Sequence, residues 1–71
     1  MRITLVKAAR DEEAGVWYVE SSDLEGLHVE GETFEAFREN VAAAVADLLE
    51  DESDIPVEII AHQSLRVRAA A

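Results

Sequence analysis

The stretch from Asp11 to Thr33, DEEAGVWYVESSDLEGLHVEGET, decides how this chain folds. It opens on a polar turn closed by Gly15. Four adjacent β-branched and aromatic residues follow, Val16, Trp17, Tyr18 and Val19, which predict a strand over Val16 to Ser21. Ser21 to Gly26 reads as a second turn, in which Ser22 and Asp23 can bond nearby backbone groups. Leu27 to Glu30 predicts a short third strand, apolar at Leu27 and Val29. Thr33 then ends the alternation and opens a different period. The segment holds the only Trp, the only Tyr and all three Gly, and it contains no Lys or Arg. Its turns and strands are those of a binding surface and not of a catalytic pocket.

Outward from this stretch, residues 2–8 form a first predicted strand with apolar side chains on both faces, Ile3 and Leu5 on one and Val6 and Ala8 on the other. The link Asp11 to Gly15 makes a hairpin with the second strand. On the other side, Thr33 is a helix N-cap, and Glu35 puts negative charge in the first turn where the helix dipole favours it. Phe34, Phe37, Val41, Val45, Leu48 and Leu49 make one apolar stripe of a helix reaching about residue 51. Ala42, Ala43, Ala44 and Ala46 raise helix propensity and allow close approach to a sheet. Glu50, Asp51 and Glu52 lie at the unfavourable end of the dipole and predict fraying into a loop. Pro56 bars further helix. Val57 to Ala61 predicts a fourth strand, and residues 63–71 a strand extension or a tail. The order β-β-β-α-β defines an α+β domain spanning 1–71, two layers with one helix on a sheet. The helical crossover sets strand four parallel to its neighbour.

One helix covers one face of such a sheet. Trp17 and Val19 point opposite to Val16 and Tyr18, so one pair is left on the open face, where association is the usual use of apolar surface. A 71-residue domain buries only about 60% of its unfolded surface. With no Cys to supply a disulfide or thiolate metal site, self-association into a dimer or higher homo-oligomer is expected.

The net charge is −10, and every acidic residue lies between Asp11 and Glu58, where Arg38 is the only base. Phosphate contacts need a basic patch, so direct nucleic-acid binding is not expected. An acidic surface instead keeps a small domain soluble and steers basic protein partners. Asp23, Glu25, Glu30 and Glu32, gathered around the second turn, are with Trp17 the candidate partner-binding residues. The N-terminal apolar run before Lys7 is too short for a signal-peptide core or a membrane span, and a cytoplasmic location without membrane attachment is expected.

No catalytic, metal-binding or cofactor-binding residue is assigned. There is no phosphate-binding Gly loop and no nucleophile elbow. Ser21, Ser22, Ser53 and Ser64 have no base near them in sequence. His28 and His62 stand on distant strands and read as surface residues; a metal shared with Glu30 or Glu58 is the remote alternative.

The chain resembles the HicB-type antitoxins, and in particular a short HicB-like family. The resemblance rests on an ordered set of pieces: DEEAGVWYV, SSDLEGLHVEG, the Thr-led helix TFEAFRENVAAAV with Asn40 one turn into it, and the Pro-led strand IPVEIIA. Together they cover residues 3–62. The resemblance implies a truncated ribonuclease H-like fold and a non-enzymatic role, the covering of a small basic HicA-type toxin that cleaves messenger RNA. It also implies dimers or tetramers. Family members add a C-terminal DNA-binding module for which a chain ending at Ala71 has no room, and short relatives also occur as orphans without a toxin. Metal-dependent nuclease chemistry of the ribonuclease H kind needs converging carboxylates, one of them within the first strand. The predicted first strand carries Arg2, Thr4 and Lys7 but no acid, with Asp11 and Glu12 in the turn beyond it.

Overall fold

A computed structural model describes residues 3–49 and 55–70. The elements are β1 (Thr4–Asp11), β2 (Val16–Ser22), β3 (Glu30–Gly31), α1 (Phe34–Leu49) and β4 (Val57–His62). They form one four-stranded sheet in the order β3-β2-β1-β4. β1 is antiparallel to β2 and parallel to β4, and β2 is antiparallel to β3. This is the α+β architecture expected, with the helical crossover carrying the chain to a parallel partner.

The first hairpin is held by Asp11. Its carboxylate accepts hydrogen bonds from the backbone N–H groups of Glu13 and Ala14 at 3.0 and 3.1 Å. Its carbonyl accepts from Gly15 N at 2.8 Å. Gly15 takes φ 70°, a conformation that a Cβ disfavours. β1 therefore runs on to Asp11, three residues beyond the expected end at residue 8. The short side chains of Ala8 and Ala9, both buried, keep the strand pairing up to this turn.

The register slips between Lys7 and Ala8, where Lys7 pairs with Ser21 but Ala8 pairs with Val19. Glu20 is thus an extra residue on β2, a β-bulge. Upstream of it Trp17 and Val19 turn toward the helix, and Val16 and Tyr18 take the open face.

The third strand is shorter than its sequence suggests. Only Glu30 and Gly31 enter the ladder, opposite Tyr18 and Trp17. Leu27 and Val29 lie outside any strand yet are buried at 4% and 8% exposure. Their alternation reports burial of two side chains, and burial without a paired backbone produces the same pattern as a strand.

Thr33 caps α1. Its hydroxyl accepts from Ala36 N at 3.0 Å and its carbonyl from Phe37 N at 2.9 Å. The helix buries Phe37, Val41 and Val45, which pack with Val6, Ala8, Leu27 and Val29 as the core. Burying each such large side chain is worth about 1.5–3 kcal/mol. Phe34 and Leu49 are half-buried, whereas Leu48 is exposed, on the flank of the stripe and not in it. The fraying expected at Glu50 to Glu52 and the strand start at Arg2 lie outside the described residues.

Gly31, which the sequence leads one to expect in a turn like Gly15 and Gly26, is instead a strand residue. It sits in β3 beneath the first turn of α1, and a Cβ there would come within 2.5 Å of Phe37 N. Residues 63–70 form no regular structure and are exposed throughout. The radius of gyration is 14.3 Å, against about 11 Å for a compact domain of this length.

Candidate protein-interaction site

The second turn is built by hydrogen bonds that fix Asp23 against β1. Its carboxylate accepts from Leu5 N at 3.0 Å, and its own N–H donates to the Leu5 carbonyl at 3.0 Å. The Ser22 hydroxyl donates to the Leu24 carbonyl at 2.7 Å and accepts from Leu24 N at 3.2 Å. Asp23 thereby ends the β1–β2 ladder, and one of its carboxylate oxygens is engaged with backbone.

The chain beyond the turn is tied down through its carbonyls. Asn40 of α1 donates to the Glu30 carbonyl at 2.8 Å, and Arg10 donates to the Glu32 carbonyl at 3.1 Å. Both bonds leave the carboxylates of these glutamates outward. Glu25, Glu30 and Glu32 are exposed, and among the described residues none of the three has a basic partner within ion-pair distance. Three of the sequence candidates thus make an exposed acidic strip of chain, Glu25 to Glu32, without an ion-pair partner among the described residues and with the Arg10 guanidinium held at its Glu32 end.

Trp17 belongs to a different surface. Its ring meets Phe34 edge-on, with centroids 5.2 Å apart, and the Arg10 guanidinium lies 5.8 Å from its centroid. Phe34 in turn packs on Phe37. The indole is half-buried between β2 and the start of α1, packed there on one side and accessible on the rest. Arg10 and Asn40 position the acidic strip, and no pattern in the sequence singled out Arg10 for this.

The open face of the sheet carries Leu5 and Ile60, 40% and 54% exposed, and, further along it and opposite Ala9, Tyr18. Glu20, displaced by the bulge, stands on this face 3.4 Å from Lys7 Nζ and 3.7 Å from His62 Nδ1. His28 is exposed between the buried Leu27 and Val29. Among the described residues no group of three or more His, Asp or Glu side chains is placed to hold a metal ion. No described helix is long and apolar enough to cross a membrane.

A second concave surface escaped the sequence reading. α1 comes closest to β3 and β2, which leaves an open groove of about 560 Å³ between it and β4. Val41, Val45, Val57 and Ile59 contribute its apolar lining; Glu35, Arg38 and Glu39 stand at its charged rim. The signal for it lay in Ala42 and Ala46, whose small side chains line the groove without filling it.

The fold and these surfaces define a small α+β domain with one helix on a mixed four-stranded sheet. Residues 3–70 match the family described as a domain of unknown function, DUF1902, and the chain belongs to that family. It is also similar to a solved structure, the hypothetical protein TTHA1013 from the extremely thermophilic bacterium Thermus thermophilus. The two are 35% identical, the likeness covers 96% of this chain and 100% of that one, and the TM-score is 0.68. No curated protein matches.

Proposed function

We propose that this domain is a non-enzymatic, HicB-like antitoxin module that binds and occludes a small basic protein of the HicA toxin type in the cytoplasm. The observation that carries the proposal is the strip of Glu25, Glu30 and Glu32, exposed and without ion-pair partners among the described residues. A solvated acidic strip on a rigid hairpin accelerates encounter with a Lys- and Arg-rich surface and sets its orientation. The ordered motif resemblance over residues 3–62 supplies the partner class, and that part of the argument is analogy. The test is a search for a small basic protein encoded beside this chain, co-expression with it, and titration of the purified pair; a neighbourhood without one speaks against the reading. Relief of toxicity that Glu25→Lys, Glu30→Lys and Glu32→Lys together abolish is the expected result. Binding indifferent to this triple reversal refutes the strip as the contact, and failure to relieve toxicity refutes the antitoxin role.

A second reading is a self-associating structural or regulatory domain without a toxin. The observation favouring it is the apolar surface that the single helix leaves uncovered, on the open face at Leu5 and Ile60 and in the groove beside β4.

A further inference from the structure

The segment after β4 has a pattern unlike the rest. Gln63 to Ala70 contains Leu65 and Val67 in alternation with Arg66 and Arg68, and no acidic residue. Alternation of this kind is that of a strand with one apolar and one basic face. The two apolar side chains are nevertheless 83% and 77% exposed, the most exposed large hydrophobics described. A segment with strand patterning and no partner is a template for pairing with another chain.

The groove between α1 and β4 matches it in three respects. Its floor is apolar, with Val41, Val45, Val57 and Ile59. Its rim carries Glu35 and Glu39, which outnumber Arg38. Its lining runs along α1 from Glu35 to Ala46, about 18 Å, which holds about five extended residues, enough for Leu65 to Arg68. The chain's charges are divided in the same sense, because every acid precedes the tail and the tail's only charges are basic.

The tail cannot easily enter its own groove. The groove uses Ile55, Val57 and Ile59, toward the start of β4, whereas the tail leaves from the end of β4 at His62. Folding back needs a tight reversal, and from Val57 onward the chain contains no Gly, Pro, Asn or Asp to make one, Ser64 being its single turn-favouring residue. The longest dimension of the chain, 56 Å against 25 and 19 Å for the other two, describes an arm held away from its own body.

We infer that two copies of this chain exchange arms: Leu65 to Arg68 of each lie in the α1–β4 groove of the other, with Leu65 and Val67 on its apolar floor and Arg66 and Arg68 at Glu35 and Glu39. The exchange is reciprocal and closed, which yields a two-fold dimer and not a filament. It covers apolar surface that one helix cannot cover, and it does so without using the acidic strip. The inference is therefore independent of any toxin.

Cysteine cross-linking of the full chain tests it on a background that has no native Cys. The Val67→Cys variant is mixed with the Ala42→Cys variant and oxidised. Ala42 is exposed on the helix and lines the groove. A mixed cross-linked dimer is expected, formed in excess over either homodimer, with light scattering giving a dimer mass for the unmodified chain at about 50 µM. Adding Leu65→Asp to the tail variant is expected to reduce the cross-link about tenfold. Arg66→Glu with Arg68→Glu is expected to weaken the dimer about tenfold, and Glu35→Arg with Glu39→Arg in the other copy to restore it. A monomer mass overturns the inference. So does a cross-link that closes within one chain of the Ala42→Cys/Val67→Cys double variant. A dimer abolished by Ile60→Asp but unmoved by the tail variants places the interface on the open sheet face and overturns it equally.

Discussion

Gly31 passes so close beneath α1 that a Cβ on it would lie 2.5 Å from the backbone nitrogen of Phe37 and 2.7 Å from its Cα. Both atoms belong to backbone, so no side-chain rotation relieves the overlap. The contact fixes the height of α1 above β3 and with it the depth at which Phe37 enters the core. Gly31→Ala is expected to destabilise the domain by about 1–3 kcal/mol through forced separation of helix and strand. Urea denaturation followed by Trp17 fluorescence measures this directly, and an unchanged midpoint contradicts the close approach.

Phe37 and Leu48 both follow the apolar spacing of α1, but Phe37 lies in the buried stripe and Leu48 on its flank, at 0% and 46% exposure. Phe37→Ala is expected to cost about 3–5 kcal/mol, enough to unfold a domain of this size. Leu48→Ala is expected to stay within about 0.5 kcal/mol. Equal effects in thermal unfolding would show that the helix is rotated from the position described.

The Thr33 cap makes a separable contribution. Thr33→Ala removes the acceptor for Ala36 N and is expected to cost about 1 kcal/mol, with Thr33→Asp close to neutral. Denaturant midpoints of the three proteins at constant slope decide it.

Asp23 holds the second turn through Leu5 N, so charge and architecture are separable there. Asp23→Ala is expected to lower stability by about 0.5–1.5 kcal/mol, and Asp23→Asn by less, because the amide oxygen still accepts the bond. A basic partner that binds through Asp23 itself would discriminate against both variants alike, whatever their stability.

The bridge from Glu20 to Lys7 and His62 lies on an exposed face, with the side chains 36%, 50% and 58% accessible. Glu20→Gln is expected to change stability by less than about 1 kcal/mol and to become indistinguishable from the native protein at high salt. A larger loss would mean that the bulge geometry depends on this carboxylate.

Much of the architecture was legible because its signals are local. Thr33 announces the helix, Pro56 bars it from continuing, and Val16 to Val19 announce a strand whatever packs upon them. What escaped was non-local. β3 is two residues long, with the Glu30 and Glu32 carbonyls taken by Asn40 and Arg10 from elsewhere in the chain, and alternation at Leu27 and Val29 reports only their burial. Gly31 reads as one more turn glycine until the helix above it is placed. The sequence leaves open which aromatic face meets α1. The bulge at Glu20, invisible to a period of two, accompanies the placement of Trp17 in packing. The groove beside β4 is a property of where a helix is not, and no residue pattern states that.

β1 lies between β2 and β4, so the first of the four strands to be made is flanked by the last of them. Thr4 pairs with Val57 and Ala9 with His62. During synthesis the hairpin of β1 and β2 is complete long before β4 leaves the ribosome, and until then one side of β1 is an unsatisfied ladder. Pairing of this range slows folding, because the chain must close a long loop before the contact rewards it. The nascent chain therefore exposes an open strand edge until β4 emerges, and the like charge of its acidic middle opposes edge-to-edge contact between neighbouring chains over that interval.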